Sequence, residues 1–207
     1  MNLLASPNSK RKPNGTMKTL RFIAGCLLCV TLATASYAQS PNSSNSSEYL
    51  IKAGFTYNFA KLIQWPANAF PQPNSPVIIG IIGNDPFGGT LDEVLAGKNV
   101  NGRELVIKHL KWGADLKACN ILFVSSSEAL HIDEIFHIVK GLPILTIGET
   151  PNFARRGGII NFILEDEKVH FEVNVEAAKD ADITISSRLL SLARIVPRTV
   201  ADGSKAQ

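Results

Sequence analysis

Cysteine is scarce in this chain. Three occur in 207 residues, and Cys26 and Cys29 both fall in an N-terminal apolar run. Once that run is removed Cys119 stands alone, so no internal disulfide can form, although an exported protein would permit one. Cys119 precedes the apolar run Ile121 to Val124 and reads as a small buried hydrophobe, with an intermolecular bridge as the alternative. No apolar run reaches the roughly 20 residues that a membrane-spanning helix requires. A strong charge of one sign is also missing. The formal charge of +3 depends on Lys10, Arg11, Lys12, Lys18 and Arg21; without them 16 basic residues face 18 acidic ones, a charge of −2. A weakly acidic domain has no electrostatic footprint for a phosphate backbone, which argues against nucleic acid as a partner.

Catalytic motifs are absent as well. There is no Gly-x-Ser-x-Gly elbow, and beyond residue 38 no Ser-x-x-Lys. Gly83 to Thr90 has the outline of a phosphate loop, but Gly89 stands where the lysine belongs and Asp85 would repel an anion. It reads as a strand-to-helix turn. The histidines do not gather: His131 and His137 lie on different faces of one expected helix, His109 and His170 lie in separate strands, and Asp133 and His137 read as a solvated pair. No enzyme, metal or cofactor reading has residues to rest on.

What is present begins with a leader. Met17 to Arg21 is a short positive start, Phe22 to Ala35 is apolar, and Ser36-Tyr37-Ala38 has small residues at its first and third positions. This is the three-part pattern of a secretory signal over 17–38, cleaved after Ala38, which places the product in the periplasm. Residues 1–16 fit neither signal nor fold, and Met17 reads as the true start. Ile23 to Cys26 has the residue types of a lipid-attachment box, but it opens the apolar run where such a box should follow it. Residues 39–47 are Ser/Asn-rich and read as a flexible linker; 48–198 form one domain, and 199–207 a tail.

The domain alternates helical and strand patterns. A helix from Glu48 carries Ile51, Phe55, Phe59 and Leu62 on one stripe, with Lys52 and Lys61 as polar relief, and ends at Trp65-Pro66. Val77 to Ile82 is a strand buried on both faces, Asp85-Pro86 caps a helix to about Ala96, and Glu104 to Leu110 is a strand. Ile121 to Val124 and Ile144 to Ile147 are further buried strands. Between them a helix capped at Ser126 or Ser127 points Leu130, Ile132, Ile135, Phe136 and Val139 inward. After a short helix over Thr150 to Arg156, a hairpin turns at Glu165 to Lys168, Asn174 caps a short helix, and Ile183 to Ile185 form an edge strand. A last helix runs from Ser187 to Pro197. The expected fold is a three-layer α/β sandwich with a mostly parallel central sheet and an antiparallel hairpin.

Several residues stand out as candidate sites. The turn at Gly83, Asn84 and Gly88 lies at a strand end, where ligand crevices form in such folds. Asn58 and Asn161 interrupt apolar segments and read as structural bridges to loops. Arg155 and Arg156 either hold an anion or partner carboxylate or simply face solvent. The last helix, with Leu190 and Ile195, is apolar on more than one face, which makes it either a docking or dimer surface or part of the same core.

Lys52-Ala53-Gly54-Phe55-Thr56-Tyr57-Asn58-Phe59-Ala60-Lys61 with Trp65-Pro66 resembles the opening helix of the YfiR family. Gly83 to Gly88, Val100 to Arg103, Cys119 to Phe123, Leu145 to Gly148, Phe153-Ala154, Gly157 to Phe162 and Ile185 to Ala193 are similar to it in the same order. Ile159 replaces a methionine common in the family, and relatives often carry further cysteines where Cys119 here is alone. The resemblance implies a non-catalytic periplasmic regulator that restrains an inner-membrane diguanylate cyclase. It would thereby lower cyclic di-GMP and biofilm formation, and an outer-membrane lipoprotein can sequester such regulators. A homodimer is expected; the alternative is a small-ligand binding or sensing module for another membrane sensor. The leader reading predicts that the exported protein begins at Gln39; an intact mass that retains any residue before it would show that the cleavage site is misplaced.

Overall fold

The computed structural model describes residues 42–199. The extension over 1–16, the signal over 17–38 and tail residues 200–207 lie outside the described residues. Helix α1 (Asn42–Leu62) opens the fold, so residues 42–47, expected as linker, are helical. Its buried face holds Lys52, Ala53, Thr56, Phe59 and Ala60. This is the i, i+3/i+4 spacing of a helix, rotated about one position from the expected stripe. Ile51 is 47% exposed, while Phe55 and Leu62 pack at the margin of the core. At Leu62 the chain passes into β1 (Ile63–Gln64).

Strands β2 (Val77–Ile82), β4 (Arg103–Leu110), β5 (Ile121–Val124), β6 (Leu145–Gly148) and β7 (Ile160–Glu165) pair in parallel in the order β4-β2-β5-β6-β7. The short β3 (Asn99–Val100) runs antiparallel to β4. On the opposite side β8 (Lys168–Val173) makes an antiparallel hairpin with β7, from Ile160↔Val173 to Glu165↔Lys168. Asp166 and Glu167 close that turn with φ of 48° and 60°. This is the doubly left-handed geometry that matches a two-residue hairpin to the strand twist. The fold is therefore the expected α/β sandwich with a mostly parallel sheet and an antiparallel hairpin.

Side chains of the central strands alternate between two helical layers, which is why these strands read as unbroken apolar runs. Ile79, Ile81, Phe123 and Ile147 face α1 and α2 (Thr90–Leu95). Ile82, Leu122 and Val124 face α3 (Ile132–Val139), where Ile132, Ile135 and Val139 are buried. Phe153 of α4 (Phe153–Arg156) is sealed into that second layer. A Cβ on Gly148 or Gly158 would fall 2.5 or 2.2 Å from its ring, so both glycines are needed for the ring to fit. Cys119 is buried beside Gly80 as expected, and burial pushes its thiol up to about 11.

Several boundaries differ from expectation. Asp85-Pro86 does not start a helix: the Asp85 carboxylate accepts from Phe87 N–H and the chain turns through Gly88 and Gly89, both at positive φ, before α2. Ser125 caps only a short 3-10 turn over Ser126–Glu128, so Leu130 lies outside α3 and is 94% exposed. Asn174 does cap α5 (Val175–Asp180), accepting from Ala177 N–H. The expected edge strand β9 (Thr184–Ile185) pairs with β1 in a separate two-stranded sheet. The last helix, α6 (Ser187–Leu190), is only four residues long. The chain leaves it to form β10 (Arg194–Ile195) against β8, with Val196 N–H donating to the Val173 carbonyl. An unsatisfied sheet edge accounts for that change, because pairing β8 supplies backbone hydrogen bonds that a longer helix would leave unmade.

The aromatic contacts holding α1 to the hairpin generate a prediction. Phe59 is fully buried, with ring centroids 5.6 Å from Phe162 and 4.9 Å from Phe171. Phe59→Ala is expected to cost about 3–5 kcal/mol in urea unfolding. A change within error would mean that α1 is not docked on this sheet in solution.

Candidate functional site

At the C-terminal end of the parallel strands, the crevice expected around Gly83, Asn84 and Gly88 is occupied by the protein itself. Ser127 Oγ accepts from Asn84 N–H at 2.9 Å, and a Cβ on Gly83 would lie 2.4 Å from the same oxygen. Asp85 spans to His109 Nε2 at 3.0 Å. Asn84 and Gly88 are exposed, and the structure brings Gly83 and Asn84, but not Gly88, against Ser127.

A polar cluster that the sequence did not reveal lies at the same end of the sheet. Lys52, expected as solvent-facing relief, is 5% exposed. Its ammonium lies 2.7 Å from Glu149 Oε2 and 2.5 Å from Glu48 Oε1, and 4.5 Å above the Tyr49 ring. The Tyr49 hydroxyl donates to Glu149 at 3.1 Å, and its ring packs edge-on against Phe87. Burial, reinforced by the Glu149 carboxylate, holds this phenol well above its ordinary titration range. The i, i+4 spacing of Glu48 and Lys52 was visible in sequence; Glu149, 97 residues beyond Lys52, was not. The arrangement clamps α1 to the end of β6.

The other candidates separate. Asn58 is exposed on α1, and among the described residues no hydrogen bond ties it to a loop. Asn161 is buried on β7; its Nδ2 donates to Glu172 Oε2 at 3.2 Å while its Oδ1 has no partner among the described residues. Arg155 approaches Glu172 at 3.9 Å, completing a β7–β8–α4 cluster. Arg156 points elsewhere and pairs with Asp133 at 3.0 Å, so the expected Asp133–His137 pair is replaced. Arg156 also lines a cleft of about 330 Å3 between α3, α4 and α5, with Phe136, Ile159 and Arg198.

Leu190 and Ile195 do not share a helix. Leu190 packs at the core margin, whereas Ile195 is 58% exposed on β10 beside exposed Leu192. Next to Ile195, Arg194 makes a two-pronged pair with Glu165 at 2.8 and 2.9 Å, which holds that carboxyl below its ordinary range. Among the described residues no group of three or more His, Cys, Asp and Glu side chains is placed to hold a metal ion. No described helix is long and apolar enough to cross a membrane.

These features define a three-layer α/β domain whose buried polar groups tie one element to another. A family model described as YfiR/HmsC-like matches residues 49–194, and the chain belongs to that family. The family is one of periplasmic proteins that regulate rather than catalyse. A solved structure described as a conserved domain protein from Vibrio cholerae O1 biovar El Tor is similar at 13% identity and a TM-score of 0.46. That match covers 70% of this chain and 60% of the other, so the chain spans less than two thirds of that relative. No curated protein matches the chain.

The buried charges allow a direct test of the clamp. Lys52→Met leaves Glu149 buried without its cation and is expected to cost about 3–5 kcal/mol by chemical denaturation. Adding Glu149→Leu should recover most of that loss, because replacing both partners removes the uncompensated charge. A double variant no more stable than the single one would rule out this pairing as the source of the effect.

Proposed function

We propose that this protein acts in the periplasm, after export by its signal over 17–38, by binding the periplasmic part of an inner-membrane diguanylate cyclase. Binding favours the cyclase's inactive state, lowering cyclic di-GMP and with it biofilm formation. The observation that carries this reading is the YfiR/HmsC-like match over residues 49–194, which covers the domain from α1 to β10. Restraint of this kind is a population shift. A regulator that bound both states of the cyclase equally would change nothing, so its affinity for the inactive state has to be higher. An outer-membrane lipoprotein that sequesters the regulator would release the cyclase by mass action, and a homodimer would present two such surfaces.

For the contact surface we propose the edge around Ile195 and Leu192, which adds exposed apolar side chains to the exposed β10 strand. Leu190 contributes from below, as part of the core margin. A second reading, a small-ligand module serving another membrane sensor, is favoured by the cleft beside Phe136.

In a strain lacking the gene, cellular cyclic di-GMP is expected to rise and to return to normal only with a signal-bearing copy. Ile195→Glu should weaken binding to the cyclase's periplasmic part by about tenfold or more while leaving far-UV circular dichroism native. An unchanged cyclic di-GMP level in cells shown to express the protein would sink the cyclase reading, and full binding by the folded Glu variant would sink the placement of the surface.

A further inference from the structure

The cleft at the N-terminal end of β6 and β7 has a composition that the regulatory reading does not use. Its floor is apolar, built from Phe136, Ile159 and the small side chains of α5. Its rim carries Lys140, Arg156 and Arg198 against Asp133 and Asp180, one positive charge in excess among these five. Among the described residues both arginines pair with carboxylates that face water: Arg156 with Asp133, whose side chain is 80% exposed, and Arg198 with Asp180, 60% exposed. Such exposed pairs contribute little, so a better-placed carboxylate can displace them.

Two further features belong to residues that line the cleft. Arg198 Nε is buried and has no hydrogen-bond partner among the described residues. Leaving a buried donor unmade is costly, and a turn of this side chain that brings Nε–H to an acceptor in the cleft would remove the cost. Gly157, at φ 125°, lies where floor meets rim: a Cβ there would come within 3.6 Å of the Phe136 ring and 4.0 Å of Arg198 Nε. The absent side chain leaves room between the apolar surface and the guanidinium.

We propose that this cleft binds a small organic monoanion, a carboxylate attached to an apolar body. The carboxylate lies between Arg198 and Arg156, where planar guanidiniums favour two-pronged contacts, and the apolar part lies on Phe136 and Ile159. The volume of about 330 Å3 is at the small end of ligand sites, which limits the body to a single ring or short chain. This gives the second reading above a site and a ligand class.

The test is a calorimetric and NMR titration of the exported chain, expressed with its own N-terminal segment. The probes are benzoate and hexanoate, with benzamide as a neutral analogue and inorganic phosphate as an anion without an apolar body. Saturable binding of at least one carboxylate is expected, with benzamide and phosphate weaker by about tenfold or more. The amide signals of Gly157 and Ala177 should shift. Arg198→Gln and Arg156→Gln should each weaken binding by about tenfold while the unliganded melting temperature stays near that of the parent. Because the amide shifts are read on the unmodified chain, the test survives a variant that fails to fold. The proposal is overturned if neither carboxylate saturates, if the shifts map elsewhere, if benzamide or phosphate binds as well as the carboxylates, or if folded arginine variants bind unchanged. None of these outcomes bears on the cyclic di-GMP phenotype, so the two readings fail separately.

Discussion

Lys52 lies almost wholly inside the protein between the carboxylates of Glu48 and Glu149, and the rest of α1 is positioned around that placement. An ammonium taken from water without partners would cost several kcal/mol, so the helix has to present Lys52 where β6 ends and Glu149 waits. That requirement sets the rotation of α1. With Lys52 inward, Ala53, Thr56, Phe59 and Ala60 follow onto the sheet, and Ile51 is turned toward solvent. Phe59 then reaches Phe162 and Phe171, which joins the opening helix to the β7–β8 hairpin. A charged clamp and an aromatic stack thus hold the middle and the C-terminal part of the same helix.

The clamp also shapes what each end of the sheet has to offer. At the C-terminal end, the usual place for a ligand in a parallel sheet, Ser127 fills the space beside Gly83 and the Lys52 cluster covers the end of β6. At the opposite end Phe136, Arg156 and Arg198 surround an open cleft between α3 and α5. The exposed edge at β10 is a third surface.

The hairpin, the buried strands and the Asn174 cap were legible because each depends on residues close in sequence: alternation or apolar runs over four to eight residues, and a side-chain oxygen within reach of nearby N–H groups. The candidate sites were less so. Arg155 and Arg156 are adjacent, yet they serve different clusters, because successive helical residues point about 100° apart. The apolar excess after Ser187 read as one long helix. It divides into a short helix and an edge strand because β8 offered backbone partners that no local pattern reveals.

Sequence alone determined the alternation of buried strands and helices, the lone Cys119 of the domain, and the order of segments shared with the YfiR/HmsC-like family. Each is written in local composition and periodicity. Only the tertiary structure decided that Lys52 is buried, that the Gly83 turn is filled, and that a cleft opens beside Arg198. Those outcomes depend on groups tens of residues apart, such as Lys52 and Glu149, or Gly157 and Arg198. Whether a charge is paired or stranded is settled only when folding brings its partner within a few ångströms.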